Sequence, residues 1–143
     1  GMFDVALIDS PPALDLLAIN TYAAADAVLI PVQTEFHSLE GLALMQDDMA
    51  RVRRRLNPHL TVLGIVPTFV DRRKRLCRDV LGVLAQKHSA DLMQTVIRDN
   101  VTLAEAPSHG QSIFSYDPKS YGAQDYAALG SEVLTRLEAR YDS

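Results

Sequence analysis

The chain has 143 residues, enough for one domain with a core of its own, and 48% hydrophobic with 22% charged residues is ordinary for a soluble globular protein. One cysteine, Cys77, excludes an internal disulfide and fits a reducing, cytoplasmic setting; without an apolar run of about 18 residues or a visible secretory signal, no membrane segment is expected. A net charge of −4 excludes a molecule that binds polyanions over its whole surface, yet nine of the 14 Lys and Arg residues lie between Arg51 and Arg78, so the local field there can be positive.

Phe3-Asp4-Val5-Ala6-Leu7-Ile8-Asp9-Ser10-Pro11-Pro12 opens the chain. Val5 to Ile8 reads as a buried parallel strand that carries Asp9 to the carboxyl edge of a sheet. Pro11 and Pro12 lack amide donors, so the chain turns there. Ligands of open α/β sheets sit outside those edges, and an aspartate there suits a hydrated Mg²⁺ beside a nucleotide phosphate, the Walker-B role. The plain alternative is a capping aspartate at a strand end. Gly1 ahead of Met2 reads as the scar of a cleaved tag, which makes Met2 the expected start of a naturally short frame, with a truncation as the alternative.

Leu14 to Ala24 has the alanine content and apolar density of a helix. Ala27 to Val32 is a second short buried strand, with Pro31 expected near its end. Ser38 is a candidate N-cap, and the stripe Leu39, Leu42, Met45, Met49, Val52, Leu56 predicts a helix to about Leu56, stopped by Asn57-Pro58. Arg51, Arg53, Arg54 and Arg55 crowd its negative dipole end, where a solvated role suffices. Leu60 to Thr68 is a third strand and Asp71 to Arg75 a charged loop. A helix to about Lys87 buries Leu76, Val80, Val83 and Leu84, with Cys77 near the packed face. Leu92 to Ile97 is a fourth strand. Val101 to Ala106 is a helical turn stopped by Pro107, Ser108 to Tyr121 a loop, and Tyr126, Leu129, Val133, Leu137 and Tyr141 mark a last amphipathic helix. Strands alternating with helices argue for one α/β domain over 1–143, a mainly parallel sheet of about four strands with helices on both faces.

Several runs together carry a resemblance: Ile8-Asp9-Ser10-Pro11-Pro12-Ala13-Leu14, Ala24-Ala25-Asp26, Ile30-Pro31-Val32-Gln33, Leu39-Glu40-Gly41-Leu42, Glu105-Ala106-Pro107-Ser108-His109-Gly110 and Tyr116-Asp117-Pro118-Lys119-Ser120. In this order the chain resembles the ParA/Soj family, the deviant-Walker-A partition ATPases related to MinD, from the Walker-B strand onward, that is, the C-terminal half of a truncated P-loop NTPase (SIMIBI-type) fold. The resemblance implies a role in chromosome or plasmid segregation, with ATP and Mg as the family's cofactors and Asp9 as the residue on the metal side. It implies that Thr68, Ile97, Arg98, Asp99 and Asn100 border the adenine, although members usually have Pro-Arg where this chain has Arg98-Asp99; ordinary loop residues are the alternative. It implies nonspecific DNA binding through Arg73, aided by Lys74 and Arg75, against a merely solvated basic loop; a second arginine expected of the family is Thr102 here. MinD relatives carry a basic membrane helix at the C-terminus; the last helix here has Arg136 and Arg140 against Asp125, Glu132 and Glu138 and lacks that cationic face, so core packing is expected.

The phosphate cradle is what this sequence does not contain. G-x-x-x-x-G-K-[ST] needs a Gly-Lys pair and two glycines five apart, and neither occurs; G-x-G-x-x-G is absent too. Positioning and charge neutralisation are most of phosphoryl-transfer catalysis, so no independent ATPase activity and no tight cofactor are expected of this chain. The four histidines show no zinc spacing and Ser108-His109 is no triad signal. In the family sheet a P-loop strand separates the Walker-B strand from the strand matching Ala27 to Val32. Its absence leaves two expectations: Val5–Ile8 pairs directly with Val28–Val32, or the open edge is covered by a second copy, giving a dimer, or by a separate P-loop-bearing chain. A ParB-like partner and a nucleoid-associated location follow from the resemblance; a non-enzymatic binding module that assembles with ParA-like or DNA-bound partners is the alternative function.

Overall fold

The computed structural model describes residues 2–10 and 15–141. The Pro11-Pro12 turn and Leu14 lie outside them. Helix α1 runs Leu16–Ala24 behind Asp15, whose Oδ1 accepts the Ala18 amide at 2.9 Å. Strand β1 is Ala27–Gln33 and β2 is Thr61–Thr68, paired in parallel and joined by helix α2, Phe36–Arg55. Glu35, not Ser38, occupies the N-cap of α2, and its side chain caps nothing; Ser38 already lies in the first turn. Asn57 ends α2 and ties it down: its side-chain amide donates to the carbonyls of Tyr22 (3.0 Å) and Ala25 (2.7 Å) at the end of α1.

Apolar helix stripes cover both faces of this ribbon. On one face Ile30, Val32 and Ile65 pack with Leu42 and Met49 of α2, Val80 and Leu84 of α3 (Arg75–Lys87), and Tyr22 of α1. On the other, Val66 packs with Met93, Ile97 and Leu103, and with Leu129 and Val133 of the last helix, α6 (Tyr121–Tyr141). A bulge sets this division. Val28 faces Val62 but Leu29 faces Gly64, so Leu63 is an extra residue on β2. The slip lets Val62 and Ile65 both reach the same core, which a strict two-residue alternation forbids. Gly64 then lies under the other layer, where a Cβ would run into the Met93 side chain, 2.8 Å from its Cγ.

Two of the four expected strands are not formed among the described residues. Val5–Ile8 is not a strand and does not pair with β1: Phe3 is 80% and Leu7 90% exposed. A strand of that composition is stable only with neighbours at its edges and helices on both faces, and this segment has neither. Leu92–Ile97 meets β2 without forming a continuous ladder: Leu92 bridges Ile65, the Met93 amide donates to the Ile65 carbonyl and the Ile97 amide to the Pro67 carbonyl (both 2.9 Å), and a second parallel bridge, Val70–Arg98, lies just beyond both segments. The ladder is interrupted at Gln94 and Thr95, whose amides do not reach β2, and nearer Val70 Phe69 takes φ 53°, a left-handed value disfavoured for a bulky side chain. The backbone groups left over are taken by α6. Glu132 accepts the amides of Gln94 (2.9 Å) and Thr95 (2.8 Å), and Arg136 donates to the carbonyls of Leu92 (2.8 Å), Asp91 (3.2 Å) and the bulged Leu63 (3.0 Å).

Asn100 caps α4, Val101–Glu105, its Oδ1 accepting the Thr102 amide at 3.0 Å and the Thr102 hydroxyl. Pro107 does not stop the chain there; a 3₁₀ turn continues over Ala106–His109, because proline needs no amide partner in a first turn. Gly110, at φ 63°, ends it. The stretch expected as loop holds a further one-turn helix, α5, Ile113–Tyr116, capped by Ser112. Cys77 is buried, as its place on α3 predicts. Among the described residues no helix is long and apolar enough to cross a membrane.

Candidate functional site

The carboxyl end of β2 and the segment after the 91–98 stretch come together on one side of the molecule. Thr68 closes β2, and its carbonyl accepts the Thr34 amide at 3.2 Å. The Thr34 hydroxyl donates to the Phe69 carbonyl at 3.1 Å, which fastens the exit of β1 to the exit of β2. Val70 then exchanges hydrogen bonds with its neighbour: its amide reaches Ile97 O at 3.0 Å, and the Asp99 amide reaches Val70 O at 3.2 Å. An open depression of about 400 Å³ results, lined by Val70 to Arg73 and by Val96, Arg98, Asp99 and Tyr121.

Two kinds of charge pair border it. Arg98 is locked. Its Nε and Nη2 hold both oxygens of Asp125 at 2.7–3.1 Å, its own amide donates to Asp125 Oδ2 at 2.9 Å, and its guanidinium lies 4.1 Å over the Tyr121 ring. Asp125 is buried, so the pair is partly desolvated and strong. The hydrogen bonds to Asp125 raise the Arg98 pKa. On the other side, Arg73 Nε and Nη2 each lie 2.9 Å from Asp71, Lys74 Nζ lies 3.6 Å from Asp99, and Arg75 Nε lies 3.7 Å from Asp79. These pairs face solvent. The Arg73 side-chain and backbone donors hold Asp71 down to a pKa of about 2, with Lys74 adding to the effect.

The residues named from sequence therefore divide. Of Thr68, Ile97, Arg98, Asp99 and Asn100, only Arg98 and Asp99 line the depression, and Arg98 is spent on Asp125; Ile97 is core, and Thr68 and Asn100 are half-buried outside the lining. Arg73, Lys74 and Arg75 are contiguous and exposed, each with a carboxylate partner. Asp9 is exposed and lies on an extended segment rather than at a strand end. Its donor set is one carboxylate, and among the described residues no group of three or more His, Cys, Asp or Glu stands ready for a metal. Mg²⁺ is often held by one or two carboxylates together with water and phosphate oxygens, so Asp9 fits Mg²⁺ carried by a nucleotide and not the bare ion. Sequence reasoning missed Asp125 and Tyr121. Their signal, an acidic residue in the first turns of the last helix beside an aromatic one, is indistinguishable from an ordinary amphipathic helix.

An α/β layer covered by helices on both faces and with its loops gathered at the carboxyl ends of parallel strands is the architecture of P-loop ATPase-like proteins. The chain superposes on cobyrinic acid a,c-diamide synthase from Mycobacterium smegmatis, solved with bound ADP and magnesium, with a TM-score of 0.76 and 29% identity, over 96% of this chain and 49% of that one. Residues 1–62 match the family described as AAA domain. The chain is 42% identical to the chromosome-partitioning ATPase Soj of Thermus thermophilus, over 95% of this chain and 55% of that protein. It is 41% identical to the chromosome partitioning protein ParA of Caulobacter vibrioides, over 98% and 52% respectively. It is 42% identical to the sporulation initiation inhibitor protein Soj of Bacillus subtilis, over 92% and 52%. The chain belongs to the ParA/Soj family of partitioning proteins, and it spans about half the length of the curated relatives it matches.

Proposed function

We propose that the chain is the base-facing and DNA-facing half of a ParA-like partitioning protein, acting in chromosome or plasmid segregation without independent ATP hydrolysis. The observation that carries this is identity of 41–42% across 95–98% of the chain to proteins named for chromosome partitioning. Asp9 would hold the water shell of Mg·ATP once a P-loop supplies the phosphate cradle, and the ion would there supply charge neutralisation for phosphoryl transfer. Thr68, Asp99 and Asn100 border the base, with Ile97 as floor and Arg98 as a strut held by Asp125. Arg73, Lys74 and Arg75 contact the DNA backbone, a salt-sensitive interaction that needs clustered charge and no base readout.

The test is complementation. Purified alone, the protein should not hydrolyse ATP above a buffer blank. Mixed with a polypeptide carrying the P-loop half of a family member, it should hydrolyse ATP in a manner abolished by Asp9→Ala. Hydrolysis by the chain alone, surviving Asp9→Ala and a second purification scheme, overturns the reading. A specific observation favours a second reading, that of a non-enzymatic assembly module: Phe3, Val5, Leu7 and Ile8 present apolar side chains to solvent, and the side of β1 turned away from β2 has no strand beside it among the described residues. Exposed edges and apolar runs of this kind are covered in assembled proteins, by a second copy or by a P-loop-bearing chain. Capture of a ParB-like partner or of ParA with no nucleotide effect would favour that module.

A further inference from the structure

We propose that Asp71 and Asp99 are built-in competitors for the DNA backbone, holding the Arg73-Lys74 loop in a self-paired state that a phosphate must displace. The inference rests on the DNA reading above and adds to it the residues that set the affinity. Arg73 presents its Nε and Nη2 to Asp71 as a fork, both at 2.9 Å. A phosphate that takes this side-on fork has to displace Asp71, and one at the Nη1 edge still shares the cation with it. Lys74 has its ammonium 3.6 Å from Asp99, whose charge also reaches Arg73.

Exposure decides which partner can be exchanged. The Arg73 side chain is 91% exposed and that of Lys74 63%, whereas the Asp71 carboxylate is only 13% exposed, tucked beneath the arginine. An incoming polyanion meets the cations first and needs no rearrangement of the backbone. Solvent-exposed ion pairs are weak and readily exchanged. The neighbouring Arg98–Asp125 pair is the contrast: its arginine side chain is only 39% exposed and its guanidinium lies over Tyr121, so it stays closed. The loop therefore offers exchangeable cations beside a fixed one.

The experiment is fluorescence anisotropy with a labelled random-sequence DNA duplex at several salt concentrations. Asp71→Asn keeps the oxygen that accepts the Arg73 amide at 3.1 Å, so the turn survives while the charge is lost. Asp71→Asn and Asp99→Asn should each tighten binding about fivefold, the gain expected from freeing one exposed ion pair, and the double variant more. Glu138→Gln, an equal change of net charge on α6, should change it less than twofold. Thermal melts of all variants should coincide with the parent. If Arg73→Glu weakens binding while Asp71→Asn and Asp99→Asn behave like Glu138→Gln, the competitor role is wrong and the DNA reading stands. If Arg73→Glu changes nothing, or neither parent nor double variant binds at low salt, the DNA reading fails and takes the competitor role with it.

Discussion

Arg98 and Arg73 both carry a bidentate aspartate whose side chain is buried to nearly the same degree, yet they do different work because the arginines differ: the Arg98 side chain is 39% exposed and that of Arg73 91%. Asp125 is 8% exposed and receives the Arg98 amide as well as its guanidinium. Asp125→Ala should therefore leave a donor cluster unpaired and lower the unfolding free energy by about 2 kcal/mol, read from urea titration. Asp71→Ala removes the acceptor of the Arg73 amide and a pair whose arginine is exposed, and should lower that free energy by less. Glu132 gives the pH dependence. Partial burial opposes its charge, but the amides of Gln94 and Thr95, with Arg136, outweigh that and lower its pKa below the ordinary 4.5. A lowered folded pKa means that the stability Glu132 contributes is fully present above about pH 4.5 and is lost as pH falls through the folded value. Acid titration of stability should therefore show a step below pH 4.5 that Glu132→Gln removes. Neither residue stands out in the sequence, because a carboxylate serving backbone amides is spelled like one facing water.

Helix α6 acts at the next scale as a substitute for a missing strand. Asp125, Glu132, Arg136 and Arg140 fall seven, four and four residues apart, on one side of the helix. All four reach backbone groups: Arg140 takes the carbonyls of Asp26 (3.0 Å) and His59 (3.2 Å), at the entries to β1 and β2. The sequence reading assigned α6 its apolar stripe, and Leu129 and Val133 do pack inward, but Tyr126 is 43% exposed. The charged row explains why Leu92–Ile97 reads as a strand and is not a continuous one: the amides of Met93 and Ile97 reach β2, but those of Gln94 and Thr95 between them are taken by the Glu132 carboxylate. Arg136→Met keeps the stem and removes the donors. Hydrogen exchange in that variant should speed up at residues 91–95 while α2 stays protected. Equal acceleration across the whole chain would instead mean that Arg136 supports the core globally.

At the scale of the whole molecule, the sheet is a two-stranded ribbon sandwiched by helices, with one further segment half attached. Two-stranded sheets depend on what packs over them, and here α2 and α3 cover one face and α4 and α6 the other. The apolar Phe3-to-Ile8 segment remains outside that sandwich. We expect this surface to associate: light scattering at high concentration should report a dimer or larger, and Leu7→Asp, at a residue 90% exposed and so costless to the fold, should shift it to monomer. A parent protein monomeric at high concentration would count against a second copy as the cover.

The positions of α1, α2, α3, β1 and β2 were legible in the sequence to within a few residues, because each carries its own periodicity and its own stop signal, such as Asn57-Pro58 after α2. Family membership was legible too, since it rests on runs such as Glu105-to-Gly110 that need no folding to be recognised. Tertiary structure alone decided which apolar runs became strands. Val5–Ile8 and Leu92–Ile97 have strand composition, but a strand is a relation between two backbones; the first pairs with no strand among the described residues, and the second divides its amides between β2 and the α6 carboxylate. Tertiary structure also decided which charges are spent and which are exchangeable, because that depends on whether the guanidinium on a carboxylate lies against the protein, as Arg98 does over Tyr121, or stands in water, as Arg73 does.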